Sequence, residues 1–148
     1  MRKHLYNSLI AFFGGLGGYS ILLILYYLAN LVGFKNTLPP IFYGYLLWSS
    51  FNSILEEGAK FFLIKKWGIG VFPYGVFLGL GWGWVEMFYR ALNGRTIGYM
   101  SVILHILTAG IICYFIKKNK PVLGLLFGIA LHTAYNLMVV YAFPEFLK

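Results

Sequence analysis

Glu56 and Glu57 stand side by side, with Lys60 one turn on, inside a run from Trp48 to Lys66 that is otherwise hydrophobic enough to cross a bilayer. Each charged group at the centre of an inserted helix costs about 2.5–3.5 kcal/mol, so lipid contact would not sustain three of them. Further along the chain lie Glu86, His105, His132 and Asn136. Carboxylates, imidazoles and a carboxamide are the parts for hydrolysis. A carboxylate takes a proton from water, an imidazole shares that proton or delivers it to a leaving amine, and a His–Asn pair donates hydrogen bonds to an oxyanion. Adjacent carboxylates repel one another unless a cation such as Lys60 or Arg90 compensates. There is no Gly-x-Ser-x-Gly, and Cys113 has no obvious activating histidine, so attack by activated water is expected in preference to covalent catalysis.

Other uses of the same residues are open. Glu56, Glu86, His105 and His132 supply enough oxygen and nitrogen ligands for zinc with an open water position, although no HExxH is present; the expectation is no cofactor, with zinc as the alternative. A proton- or ion-coupled carrier would also bury carboxylates and histidines, but five spans without an evident inverted repeat argue against it. A scaffold binding partner helices through glycine faces is a third reading. For Glu56 and Glu57 the plain alternative is a structural ion cluster, and for His132 and Asn136 a bond between helices, worth only about 0.6 kcal/mol on average.

The elements that must position these groups follow from composition. Of 148 residues, 60% are hydrophobic, 20% aromatic and only 11% charged, with a mean hydropathy of +0.76. A soluble domain could not carry that surface, so the expectation is an all-α, polytopic membrane bundle of about five helices, residues 1–148 forming one domain. The net charge of +8 comes from basic residues spread among helix ends, which reads as topology and headgroup contact and not as a nucleic-acid face. The lone Cys113 excludes an intrachain disulfide. The N-terminal apolar run is too long for a signal-peptide core and is read as a permanent helix.

The spans are expected at about Ser8–Phe34, Ile41–Lys66, Ile69–Leu92, Ile97–Ile116 and Pro121–Phe143. They are separated by the turn-forming segment Lys35–Pro40, by Lys65 and Lys66, by Asn93–Thr96 and by Lys117–Lys120. Ser49, Asn52 or Ser53, Glu56 or Glu57, and Lys60 recur along one side of the second helix, and Ser101, His105 and Thr108 along the fourth. Gly14, Gly15, Gly17 and Gly18, then Gly75, Gly79 and Gly83, then Gly124 and Gly128, are small-residue stripes for close helix contact. Tyr26, Tyr27, Trp67 and Tyr99 are read as interface anchors, and His4 as interfacial.

At ~1.5 Å per residue from the inner basic clusters, Glu56 and Glu57 lie roughly 13–15 Å deep, His132 about 16 Å and His105 about 18 Å. Glu86 comes out at about 22–28 Å and needs a tilted or late-starting third helix to join them. Arg2, Lys3, Lys65, Lys66, Lys117, Lys118 and Lys120 outnumber Lys35, Arg90, Arg95 and Lys148, which puts the N-terminus in the cytoplasm and the C-terminus outside a cell membrane crossed several times.

The pattern resembles a known family. Glu56-Glu57-Gly58-Ala59-Lys60 is similar to the EExxK motif of the PrsW-type membrane proteases, part of a larger group with the CAAX-processing and bacteriocin-processing proteases. Trp82-Gly83-Trp84-Val85-Glu86 resembles the second motif, with Trp82 where the family usually has Phe; His105-Ile106-Leu107-Thr108 resembles the next, and His132-Thr133-Ala134-Tyr135-Asn136 matches HxxxN. The resemblance implies that Glu56 activates water with Glu57 in support, that Glu86 and His105 help to position or activate it, that His132 and Asn136 form the oxyanion hole, and that Lys60 is structural. It implies an intramembrane endopeptidase acting on a membrane-anchored or single-pass protein, with the lipid bilayer as its other partner. The chain is shorter than most of that family.

Overall fold

A computed structural model describes residues 2–31, 42–67, 72–92 and 98–142. The chain is all-α: α1 Arg2–Leu31, α2 Phe42–Lys66, α3 Phe72–Leu92, α4 Gly98–Lys117 and α5 Pro121–Ala142. The expected turns at 35–40 and 93–96, and the helix ends expected at Phe34, Ile41, Ile69, Ile97 and Phe143, lie outside the described residues. α1 begins six residues before the expected Ser8, because nothing from Arg2 to Asn7 breaks a helix and the polar turn simply extends the apolar one. Pro73 sits in the first turn of α3, where its missing N–H leaves no gap in the helix. Between α4 and α5, Asn119 takes a left-handed conformation (φ 57°). Lys120 N–H donates to Phe115 C=O at 2.9 Å and Asn119 N–H to Ile116 C=O at 3.0 Å, which ends α4 in a Schellman turn just ahead of Pro121.

Contacts along the helices fix their directions. Asn7 bonds Tyr74, and Gly15 and Gly18 meet Leu78 and Trp82, so α1 and α3 run parallel. Gly75, Gly79 and Gly83 meet Ala109, His105 and Val102 in turn, so α3 and α4 run antiparallel. Lys60 meets His105 while Ile64 packs in one cluster with Ile112, so α2 and α4 run parallel, with the tightly turned α5 antiparallel to both. Lys65, Lys66, Lys117, Lys118 and Lys120 therefore gather at one end of the bundle. Next to that end lies a core of Ala11, Ile64, Tyr74, Leu78, Ile112 and Cys113, flanked by Phe61, Leu63 and Ile116.

Among the described residues, three helices are long and apolar enough to cross a membrane, over Leu5–Leu28, Gly98–Lys117 and Pro121–Tyr141. The outward faces carry large apolar side chains, such as Phe13, Ile24, Phe62, Leu107 and Phe127. α2 and α3 do not pass that test, and these are the helices that bear Glu56, Glu57, Lys60, Glu86 and Arg90.

The expected glycine stripes are close-approach points, with exceptions. A Cβ on Gly79 would run into the His105 carbonyl and one on Gly15 into the Leu78 carbonyl, whereas Gly17 faces open space. Gly79→Ala should therefore destabilise the bundle by about 1–3 kcal/mol through forced backbone separation. Gly17→Ala should be neutral or stabilise by up to about 1 kcal/mol through helix propensity. Unfolding midpoints in detergent, compared for the two variants, check the contrast.

Candidate active site

The second helix supplies the centre of the cluster. Glu56, Glu57 and Lys60 fall within a little more than one turn, and all are buried, Glu57 and Lys60 completely. An ammonium has three N–H donors and no acceptor. Lys60 uses all three: its Nζ lies 2.5 Å from Glu57 Oε1, 3.0 Å from His105 Nδ1 and 2.8 Å from Thr108 Oγ1. Thr108 follows His105 by three residues, so both reach Lys60 from one face of α4.

These bonds decide where the histidine protons sit. Because Lys60 donates, His105 Nδ1 accepts; the ring hydrogen is then on Nε2, which donates to Glu86 Oε2 at 2.5 Å. Arg90, one turn beyond Glu86 on α3, holds the other oxygen through Nε at 2.6 Å. Glu57 Oε1, already accepting from Lys60, also lies 2.7 Å from His132 Nδ1. With Nδ1 donating to Glu57, the Nε2 of His132 is left for other partners, and it lies 4.0 Å from Glu56 Oε2. His105 Nε2 is 3.8 Å from the same oxygen. The two imidazoles meet edge to face at 5.2 Å.

Three of the chain's four acidic residues are thus in one layer. Glu57 has Lys60 and Glu86 has Arg90, so two of the carboxylates are each neutralised by a cation at 2.5 Å. Glu56 has instead a neutral donor, the Trp82 indole N–H, at 3.2 Å. It is the carboxylate left to handle a proton. A single water at hydrogen-bonding distance from both Glu56 Oε2 and His132 Nε2 would subtend an angle of about 90° between them, close to its own bond angle.

The same atoms bear on metal binding. One ligand atom each of Glu56, His105 and His132 lies within 4.8 Å of the others, a spacing at which they could hold an ion. Ligation through His105 Nε2 would, however, move the ring hydrogen to Nδ1, facing the donating Lys60, and break the bond to Glu86. The fit is one of position and not of hydrogen bonding as the side chains stand.

Of the residues expected from sequence, Glu56, Glu57, Lys60, Glu86, His105 and His132 come together. The depth conflict for Glu86 disappears because its carboxylate reaches His105 across the α3–α4 contact that the glycines make close. Asn136 stands one turn beyond His132, partly buried, and joins none of these bonds. Three contributors were not assigned there. The sequence marks Trp82 only as a departure from Phe in its motif, Thr108 only as part of a stripe and of the His105 motif, and gives Tyr19 no role; the Tyr19 ring packs on Trp82 at 5.8 Å and His105 at 6.3 Å. The available signals were the four-residue step from Trp82 to Glu86 and the three-residue step from His105 to Thr108. Tyr26 corrects the anchor reading: Tyr27 and Tyr99 are exposed, but the Tyr26 hydroxyl is buried, and its ring packs 6.4 Å from Trp48. Comparison with protein-family models, curated proteins and solved structures finds no match.

Lys60→Met strands Glu57 without its cation and frees His105 Nδ1, and should destabilise the protein by about 3–5 kcal/mol. Adding Glu57→Gln to that variant should recover a large part of the loss, since removing both partners leaves no unpaired charge. A double-mutant cycle on unfolding free energies measures the recovery.

Proposed function

We propose that this chain is a membrane-embedded protease of the PrsW type, hydrolysing a peptide bond of a membrane-anchored or single-pass protein with water activated by Glu56. The observation that carries the reading is the unequal treatment of three buried carboxylates, two tied to cations and one beside a histidine nitrogen left to face it. Glu56 takes a proton from the attacking water as its oxygen adds to the scissile carbonyl. Glu57 fixes the His132 ring through Nδ1, so that Nε2 can accept that proton from Glu56 and then, as a donor, face the oxyanion and finally the leaving amine. Asn136, one turn along, supplies the second donor to the oxyanion. Glu86 orients His105, and Lys60 fixes its tautomer, keeping a neutral ring beside Glu56.

In this reading all five helices cross the membrane, α2 and α3 because their charges are paired inside the bundle. The lysine-rich end and the N-terminus are cytoplasmic, and the C-terminus is outside. A zinc-dependent variant of the same hydrolysis has one observation in its favour, the spacing of Glu56, His105 and His132.

Glu56→Gln should lower cleavage of membrane-tethered candidate substrates by about 10²–10⁴-fold while leaving the unfolding midpoint near that of the wild type. His132→Ala should lower cleavage comparably. Undiminished cleavage in both variants would defeat the mechanism. Purified protein should retain its activity in chelator; stoichiometric zinc whose removal abolishes cleavage would establish the metal reading instead.

A further inference from the structure

The two halves of the bundle on either side of the charged layer differ in kind. Toward the lysine-rich end the helices close over an apolar core, with Ile64, Leu78, Ile112 and Cys113 all nearly inaccessible. Toward the other end, one turn from the layer, stand Asn52 on α2, Arg90 on α3, Ser101 on α4 and Tyr135 and Asn136 on α5, with Tyr26 reaching in from α1. Among the described residues, the buried side-chain atoms without a hydrogen-bond partner follow the same division. Glu57 Oε2 is in the layer, and Tyr26 Oη, Asn52 Oδ1, Thr133 Oγ1 and Tyr135 Oη are at or beyond it on the side away from the lysines. The Tyr26 ring packs against the cluster that contains Trp82, the residue that holds Glu56, and Tyr135 stands one turn beyond His132 on α5. Asn52 precedes Glu56 by four residues and shares its face of α2.

A buried polar atom left unpaired costs about 1–3 kcal/mol, so several on one side of a reactive layer mark where an outside group is meant to bond. Their chemistry suits a peptide backbone. A carboxamide oxygen accepts from an N–H, a phenolic hydroxyl donates to a C=O, and neither demands a particular side chain. We propose that water and substrate enter through the end of the bundle opposite the lysines, where Tyr26, Asn52 and Tyr135 hydrogen-bond the extended backbone of a peptide segment beside Glu56. This assignment rests on the protease reading for its substrate class, but the entrance does not.

Two measurements on the full-length chain separate these. The first is labelling in proteoliposomes with a small membrane-impermeant thiol reagent, in a Cys113→Ala background. Asn52→Cys and Tyr135→Cys should react from one face at least tenfold faster than Ile64→Cys and Ile112→Cys react from either. Equal rates, or faster labelling of the two isoleucine positions, would overturn the entrance. The second is equilibrium binding of a fluorescent synthetic peptide, a leucine/alanine helix of about 20 residues continued by a Gly/Ser segment, to detergent-solubilised Glu56→Gln protein. Asn52→Leu should weaken binding about tenfold, Tyr135→Phe should weaken it severalfold, and Asn52→Gln should bind more tightly than Asn52→Leu. Unchanged affinity in Asn52→Leu, or no binding by the parent, would overturn the peptide subsite. Intact binding with no cleavage by wild type of any tethered substrate would overturn the protease reading alone.

Discussion

The Lys60 ammonium, sealed from solvent and bonded to Glu57, His105 and Thr108, is the constraint on which the rest of the arrangement depends. It has no spare donor and no room to move, so it fixes three things at once. Glu57 is held where it can grip His132; His105 is held in the tautomer that donates to Glu86; and α2 is tied at this depth to α4. A lysine that anchors a carboxylate and sets an imidazole's proton at the same time couples the charge balance of the layer to its packing. Severing any one of its bonds leaves a buried group that low dielectric makes costly.

Glycine makes that coupling possible. The carboxylate of Glu86 and the ring of His105 bond directly because Gly79 and Gly83 let α3 lie almost against the backbone of α4. On the opposite side, Gly15 and Gly18 bring α1 onto α3, where Tyr19 backs Trp82 and His105. Trp82 thus has a packed face and a bonding edge, and its indole N–H is the contact that holds Glu56 without neutralising it.

The helices were legible in the sequence because apolar runs of spanning length alternate with proline, asparagine and lysine; of the expected limits inside the described residues, Lys66, Leu92, Ile116 and Pro121 are met to within one residue, while α1 starts six residues early. The members of the cluster were legible too, since Glu56, Glu57, Lys60, Glu86, His105 and His132 are polar where lipid would reject them. Who bonds whom was not. Depth counted along straight helices placed Glu86 too far out, because the count ignores how close packing lets side chains reach across a contact. Helical spacing gave the polar face of α2 but not that Glu57 would turn to His132 and Lys60 while Glu56 turned to Trp82. Tyr26 differs from the anchor reading because an aromatic near a helix end looks alike in sequence whether it faces headgroups or the bundle interior; only the rotation of α1, which packs its ring on Trp48 and the Trp82 cluster, decides.

The separation along the chain of the partners of Lys60 bears on biogenesis. His105 and Thr108 lie 45 and 48 residues after it. In the membrane placement proposed above, α2 leaves the ribosome carrying a cation whose partners on α4, and two carboxylates whose partners Trp82 on α3 and His132 on α5, do not yet exist. At ~5–20 residues per second the wait for Thr108 is roughly 2–10 s. At first only the Lys60–Glu57 pair within α2 is available to soften the burden, and then the Trp82 bond to Glu56 from α3. The helix must be retained by the insertion machinery, or held at the interface, until α4 arrives. The cluster is complete only when α5 brings His132, 75 residues further on than Glu57, to that carboxylate.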